Sequence, residues 1–150
     1  MKNLRKLIVL TAALFLSAGI SFADNKPVRS TSDLPQTAQN FITNNFGNAT
    51  VATATMDSDS RRERYDVTLS NGIKIEFDLN GEWTSVKTKN PNTQLPDNVI
   101  PAKIKQYVNT TYPDMGIVSI EHERSHYEIE LANDIEIKFN NNFEVVKTDY

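Results

Sequence analysis

The sequence predicts an α+β fold: a tandem repeat of one helix plus a four-stranded antiparallel sheet, with the helices on one face and an open, charged sheet face on the other. Three observations carry that expectation. Residues 65–80 (YDVTLSNGIKIEFDLN) and 127–142 (YEIELANDIEIKFNNN) agree at seven of 16 positions, and other positions exchange Val for Ile or Asp for Glu. Self-similarity of this kind marks a repeated structural unit. Within each stretch apolar and polar residues alternate, the pattern of half-buried strands. Ahead of each stretch, an apolar residue before Pro opens a segment with a helical stripe: Ala38, Phe41, Ile42 and Phe46 in the first, Ile104, Tyr107, Val108 and Tyr112 in the second.

The chain begins with an address. Lys2, Arg5 and Lys6 precede an apolar run from Leu7 to Ile20, which ends in Ser21-Phe22-Ala23. Basic start, apolar middle and small-residue finish predict a secretory signal peptide over residues 1–23, cleaved after Ala23. The apolar run is shorter than the roughly 20 residues that a spanning helix needs. Removing the segment takes the formal net charge from −3 to −6. An acidic exported chain without a Lys/Arg cluster suits neither nucleic acid nor an anionic membrane. No later stretch is long enough to span, so no membrane insertion is expected after signal cleavage. Residues 24–33 then read as a flexible mature N-terminus.

The first αββββ unit spans residues 34–88. Pro35 fits a first helical turn, Asp33 is the expected N-cap and Gly47 the stop. Residues 50–57 form the first strand. Asn71-Gly72 then joins two alternating runs, because a tight primed turn needs positive φ. Residues 83–88 (WTSVKT) close the unit. Residues 89–99 (KNPNTQLPDNV) are polar and Pro-containing, hence a linker. The second unit, residues 100–150, repeats the pattern: a helix stopped at Pro113, a strand over 116–122, a hairpin turned at Asn133-Asp134, and 143–148 (FEVVKT) matched to WTSVKT. On that matching the spacing between units falls from 66 to 62 to 60 residues, with the length changes at turns.

One set of alternate strand residues meets the helix, so the other set faces water. The water-facing set is Asp66, Thr68, Lys74, Glu76 and Asp78 in one unit, and Glu128, Glu130, Glu136, Lys138 and Asn140 in the other. If the two sheets join edge to edge, these residues form one broad curved surface. It reads either as a solvated face with cross-strand ion pairs or as a docking surface for another protein. Alternation does not fix the face of Trp83; on the open side it would be a binding anchor. The candidate protein-binding residues are therefore Asp66, Thr68, Lys74, Glu76, Trp83, Glu128, Glu130, Glu136 and Lys138.

Chemistry-bearing motifs are sparse. There is no Cys, which excludes disulfides, a thiol nucleophile, a thiolate zinc site and an acylated cysteine. His122 and His126 lie in a strand–turn–strand context, not at the helical spacing of a zinc site. Ser125 is not expected to face His126, since adjacent strand side chains point apart. Asp57-Ser58-Asp59-Ser60 and Asp78-Leu79-Asn80-Gly81 are fragments of a calcium loop without its terminal Glu. Carboxylates such as Glu128 and Glu130 on an open strand lack the pocket that would tune them for acid–base work. No catalytic residue, metal ligand or cofactor is assigned.

A signal peptide followed by two helix-plus-four-strand units, each with a Y-[DE]-[VI]-x-L-x-N-x-I-x-I-x-F hairpin and a closing V-K-T, resembles the secreted PepSY-like, β-lactamase-inhibitor-like proteins of Bacteroidetes. The likeness covers residues 34–150. It implies helices on one side of a concave sheet, with the concave face docking a partner, and the restraint of a hydrolase as a role. No functional residue carries over. The function expected from sequence is thus a non-enzymatic exported protein, in the periplasm or outside the cell, that docks a protein partner through the exposed sheet face. The alternative is a small-ligand or cation-binding module of the cell envelope.

Overall fold

A computed structural model describes residues 25–27, 31–57 and 64–150. The expected signal peptide lies outside the described residues, as do Ser58 to Glu63. The described elements are strand β1 (Asn25–Pro27), helix α1 (Gln36–Phe46), strands β2 (Val51–Asp57), β3 (Arg64–Leu69), β4 (Ile73–Asp78) and β5 (Trp83–Thr88), helix α2 (Ala102–Thr111), and strands β6 (Ile117–Glu123), β7 (His126–Leu131), β8 (Glu136–Asn140) and β9 (Val145–Asp149). The strands form one open antiparallel sheet in which spatial order follows chain order. Eight of them make the body of the sheet. The three-residue β1 adds to the edge of β2, so the segment expected to be flexible begins as a short paired strand.

Each helix starts after a proline whose fixed φ leads into the first turn. Asp33 is not the cap of α1; it belongs to a short 3-10 turn, Thr31–Asp33, and the helix starts three residues later. The stripe Ala38, Ile42 and Phe46 is buried, as are Ile104 and Val108 of α2. Both helices cover the same sheet face, where Val67, Leu69, Ile75, Phe77, Val86, Ile120, Ile129, Leu131, Ile137 and Phe139 complete one continuous core. Phe77 and Phe139 are 0% exposed, each touched edge-on by an aromatic ring of the overlying helix, Phe41 or Tyr107.

The two hairpins match position for position. Tyr65 pairs with Phe77 and Tyr127 with Phe139; Thr68 pairs with Lys74 and Glu130 with Glu136. Gly72 (φ 84°) and Asp134 (φ 65°) take the left-handed turn position. The match continues past the point where the sequence comparison slips. Gly81 donates its amide to the Asp78 carbonyl at 3.0 Å, and Phe143 donates to Asn140 at 2.9 Å. Glu76 pairs with Ser85, Lys138 with Lys147. The spacing therefore stays at 62 residues to the end of β9. The WTSVKT/FEVVKT matching is two residues out of register: Val86 is fully buried, whereas Val146 is 62% exposed.

The stretch expected to be a polar linker contributes to the core. Leu95 and Val99 are buried, and the Leu95 amide donates to the Ile117 carbonyl at 2.8 Å. It sits beside the seam where β5 pairs with β6 through Ser85↔Glu121, Val86↔Ile120 and Lys87↔Ser119.

Candidate functional site

The seam makes the two polar faces continuous. Because directly opposed residues of antiparallel strands point to the same side, the registers place Asp66, Thr68, Lys74, Glu76, Glu128, Glu130, Glu136 and Lys138 on the face away from the helices. They are joined there by Asp57, Arg64, Ser85, Lys87, Ser119 and Glu121.

Trp83 is the exception. A register shift between Glu76 and Phe77 brings it opposite Phe77 on the helix side. Its ring stacks on Phe41 of α1 at 5.9 Å and lies 5.5 Å from His122. It is half-buried in a row of rings that continues through Tyr127, stacked on His122 at 4.2 Å, to Phe143 at 5.2 Å, with the Lys103 ammonium above the last ring. The bulge reverses the parity, so Trp83 is removed from the open-face candidates.

On the first-half face the Arg64 side chain sits among several acids. Arg64 reaches Asp57 at 3.6 Å, Asp66 at 3.4 Å and Glu76 at 3.8 Å. Asp66 and Glu76 face each other there across β3–β4, with Arg64 between them, and the seam and second half carry further facing acids. Small, buried Ser119 floors a shallow depression ringed by Lys87, Glu121, Glu128, Glu130 and Glu136. Glu121 faces Glu128 directly across β6–β7, and Glu130 faces Glu136 across β7–β8. Like charges opposed on neighbouring strands are destabilising. Two cations relieve part of this: Lys87 pairs with Glu121, and Lys138 reaches Glu128 at 3.2 Å. Partial burial works to lower the Lys87 pKa, but the hydrogen bond and charge of Glu121, backed by Glu76 and Glu130, outweigh it and hold the ammonium above its ordinary range.

The alternation in residues 117–123 was sufficient to place Ser119 and Glu121 on this face. Their proximity to Lys87 was not legible, because it depends on β5 pairing with β6 across the linker. His122 and His126 point to opposite faces, paired with Tyr127 and Glu123 respectively. His126 Nδ1 lies 3.3 Å from Ser125 Oγ, a contact that alternation did not anticipate because Ser125 lies in the turn. Asp78 binds the Asn80 and Glu82 amides through Oδ1, so its calcium-loop-like segment is a self-capped turn. Apart from Asp57, the other such segment is outside the described residues. Among the described residues no group of three or more His, Asp or Glu side chains is arranged around a metal position. None of the described helices is long and apolar enough to cross a membrane.

Comparison with known proteins agrees with this architecture. Residues 63–147 match the model of a family described as "Putative beta-lactamase-inhibitor-like, PepSY-like". A Bacteroides thetaiotaomicron structure described as a "putative calcium-regulated periplasmic protein" is 40% identical, with a TM-score of 0.79; the alignment covers 85% of this chain and 98% of that one. Two periplasmic proteins of Bacteroides vulgatus are 43% and 31% identical, each with a TM-score of 0.77. They align over 85% and 84% of this chain and 98% and 99% of their own lengths. No functionally curated protein is significantly similar to this chain.

Proposed function

From a chain that belongs to the PepSY-like, β-lactamase-inhibitor-like family of exported proteins, we propose a non-enzymatic binding protein that docks a partner protein through its open sheet face. The observation that carries this reading is the pair of facing carboxylates on each side of β7, Glu121 with Glu128 and Glu130 with Glu136. A face that only had to be solvated would gain from alternating signs. A basic partner surface would relieve the repulsion, speed encounter and set orientation. Duplication of one αββββ unit is the origin we infer for the face, supported by the constant spacing of the pairings from Tyr65 to the end of β9.

The test is affinity capture from envelope extract with wild type and with a Glu128→Lys, Glu130→Lys variant, followed by titration of each captured protein. Partners bound by wild type and lost by the variant support the reading. An unchanged partner set overturns it.

A second reading has its own support. Calcium takes several carboxylate oxygens at once, and the Bacteroides thetaiotaomicron relative is described as calcium-regulated. Calorimetry with Ca²⁺, wild type against Glu130→Gln and Glu136→Gln, tests it. Heat at sub-millimolar Ca²⁺ that both variants abolish supports cation binding; no heat removes it.

A further inference from the structure

The two edges of the sheet are unlike. At one end β1 is three residues long and contains Pro27, which has no N–H to offer a further strand. At the other end β9 runs for five residues without proline and, among the described residues, has a strand on one side only. An uncovered edge of this kind is a template for pairing. It is also the most apolar exposed part of the described protein. Of its five exposed large apolar side chains, three are Val145, Val146 and Tyr150. Tyr150 is 92% exposed.

The charges on β9 are self-complementary. Lys147 and Asp149 share the ionic face, opposite Lys138 and Glu136 of β8, and lie 2.7 Å apart. A lone edge lysine repels an approaching copy, but here the acid two residues on cancels that protection. Consider two β9 strands meeting antiparallel about a two-fold axis at Thr148. Lys147 then faces Asp149 of the second copy, Asp149 faces its Lys147, and each Val146 faces a Tyr150. Sliding the register by two residues sets Lys147 against Lys147, or Asp149 against Asp149. A one-residue slide puts the ionic face of one copy on the helix side of the other.

We propose that the partner of the β9 edge is the β9 edge of a second copy, in the Thr148-centred register, giving a continuous sheet with both ionic faces on one side. The inference is independent of what the ionic face binds. A single strand pair is a small interface, so the association is weak.

Analytical ultracentrifugation of the exported protein, up to about 1 mM, tests it with two charge reversals. Lys147→Glu leaves only acids on the strand and Asp149→Lys only bases, so each variant alone should associate at least about tenfold more weakly than wild type. Mixed together they should form a heterodimer, because the acid introduced at position 147 of one faces the base introduced at position 149 of the other. Both sites are exposed, and circular dichroism checks that the fold is kept. A wild type that stays monomeric, single variants that associate like wild type, or a mixture that does not associate overturns the proposal.

Discussion

Residues 78–83 and 140–145 trace the same turn with opposite packing. In the first half Gly81 holds the left-handed position, and a Cβ there would stand 2.8 Å from Pro35 Cβ and 2.9 Å from the Ala38 amide nitrogen. Backbone therefore rests on backbone: the turn presses against the start of α1, and glycine is needed both for φ and for space. In the second half Phe143 occupies the same position at φ 65°, a conformation costly for a bulky residue. Its ring lies between Tyr127 and the Lys103 side chain near the start of α2. One half closes by removing a side chain, the other by inserting one. The same hydrogen-bonded turn can thus seat a helix in two ways, and it tolerates strain where the ring gains contacts.

Emptying the core beneath each helix should have the largest effect. Phe77→Ala and Phe139→Ala should each cost about 3–5 kcal/mol by denaturant unfolding. Both should lower a single shared transition, since one core runs under both helices; two separated transitions would show that the halves unfold independently.

The turns come next. Gly81→Ala combines positive φ with a backbone clash and should lose about 2–4 kcal/mol. At Gly72 a Cβ meets nothing within 4 Å, so Gly72→Ala carries only the conformational penalty, about 1–2 kcal/mol. Equal losses in thermal and denaturant melts would remove the packing role assigned to Gly81.

The ionic face gives a smaller effect with opposite signs. Glu76→Gln loosens the Arg64 cluster and should destabilise slightly. Glu130→Gln relieves a facing acid and should stabilise by roughly 0.2–1 kcal/mol. High salt should narrow the difference between the two variants.

The smallest effect is a pH dependence. Burial among the rings lowers the His122 pKa, with Glu82 pulling it up and His126 pushing it down. A histidine lowered on folding binds its proton more weakly in the native state. Its contribution is therefore intact above the ordinary imidazole range near 6.5 and is lost as pH falls through the native value. His122→Phe should flatten the acid-side slope of melting temperature, and NMR of the His122 ring protons reads the titration directly.

Much of this architecture was legible in the residues. Period-two alternation around Asn71-Gly72 gave the hairpins, the stripes after Pro35 and Pro101 gave the helices, and the outward set from Asp66 to Lys138 emerged on one face. The errors have a common cause in local register. The letters V-K-T recur after both Trp83 and Phe143, and matching them hid the fact that Phe143 fills a glycine position; the strands pair two residues later than the letters suggest. The bulge that turns Trp83 toward Phe41 leaves no mark in composition. Leu95 and Val99 read as linker because the segment is anchored to β6, through Leu95 and Ile117, more than 15 residues downstream. The approach of Lys87 to Ser119 and Glu121 was not legible for the same reason, since it depends on β5 pairing with β6.

The strand order has one consequence for how the chain folds as it is delivered. Each strand of the main sheet finds its neighbour in the segment that emerged just before it, or in the one that follows. Apart from the β1–β2 and β5–β6 pairs, which close across a helix, adjacent strands are joined by short connections, so most loop closure stays inexpensive. The fold can zip up in order of delivery, each new strand covering the raw edge left by the last, until β9 leaves one edge unclaimed.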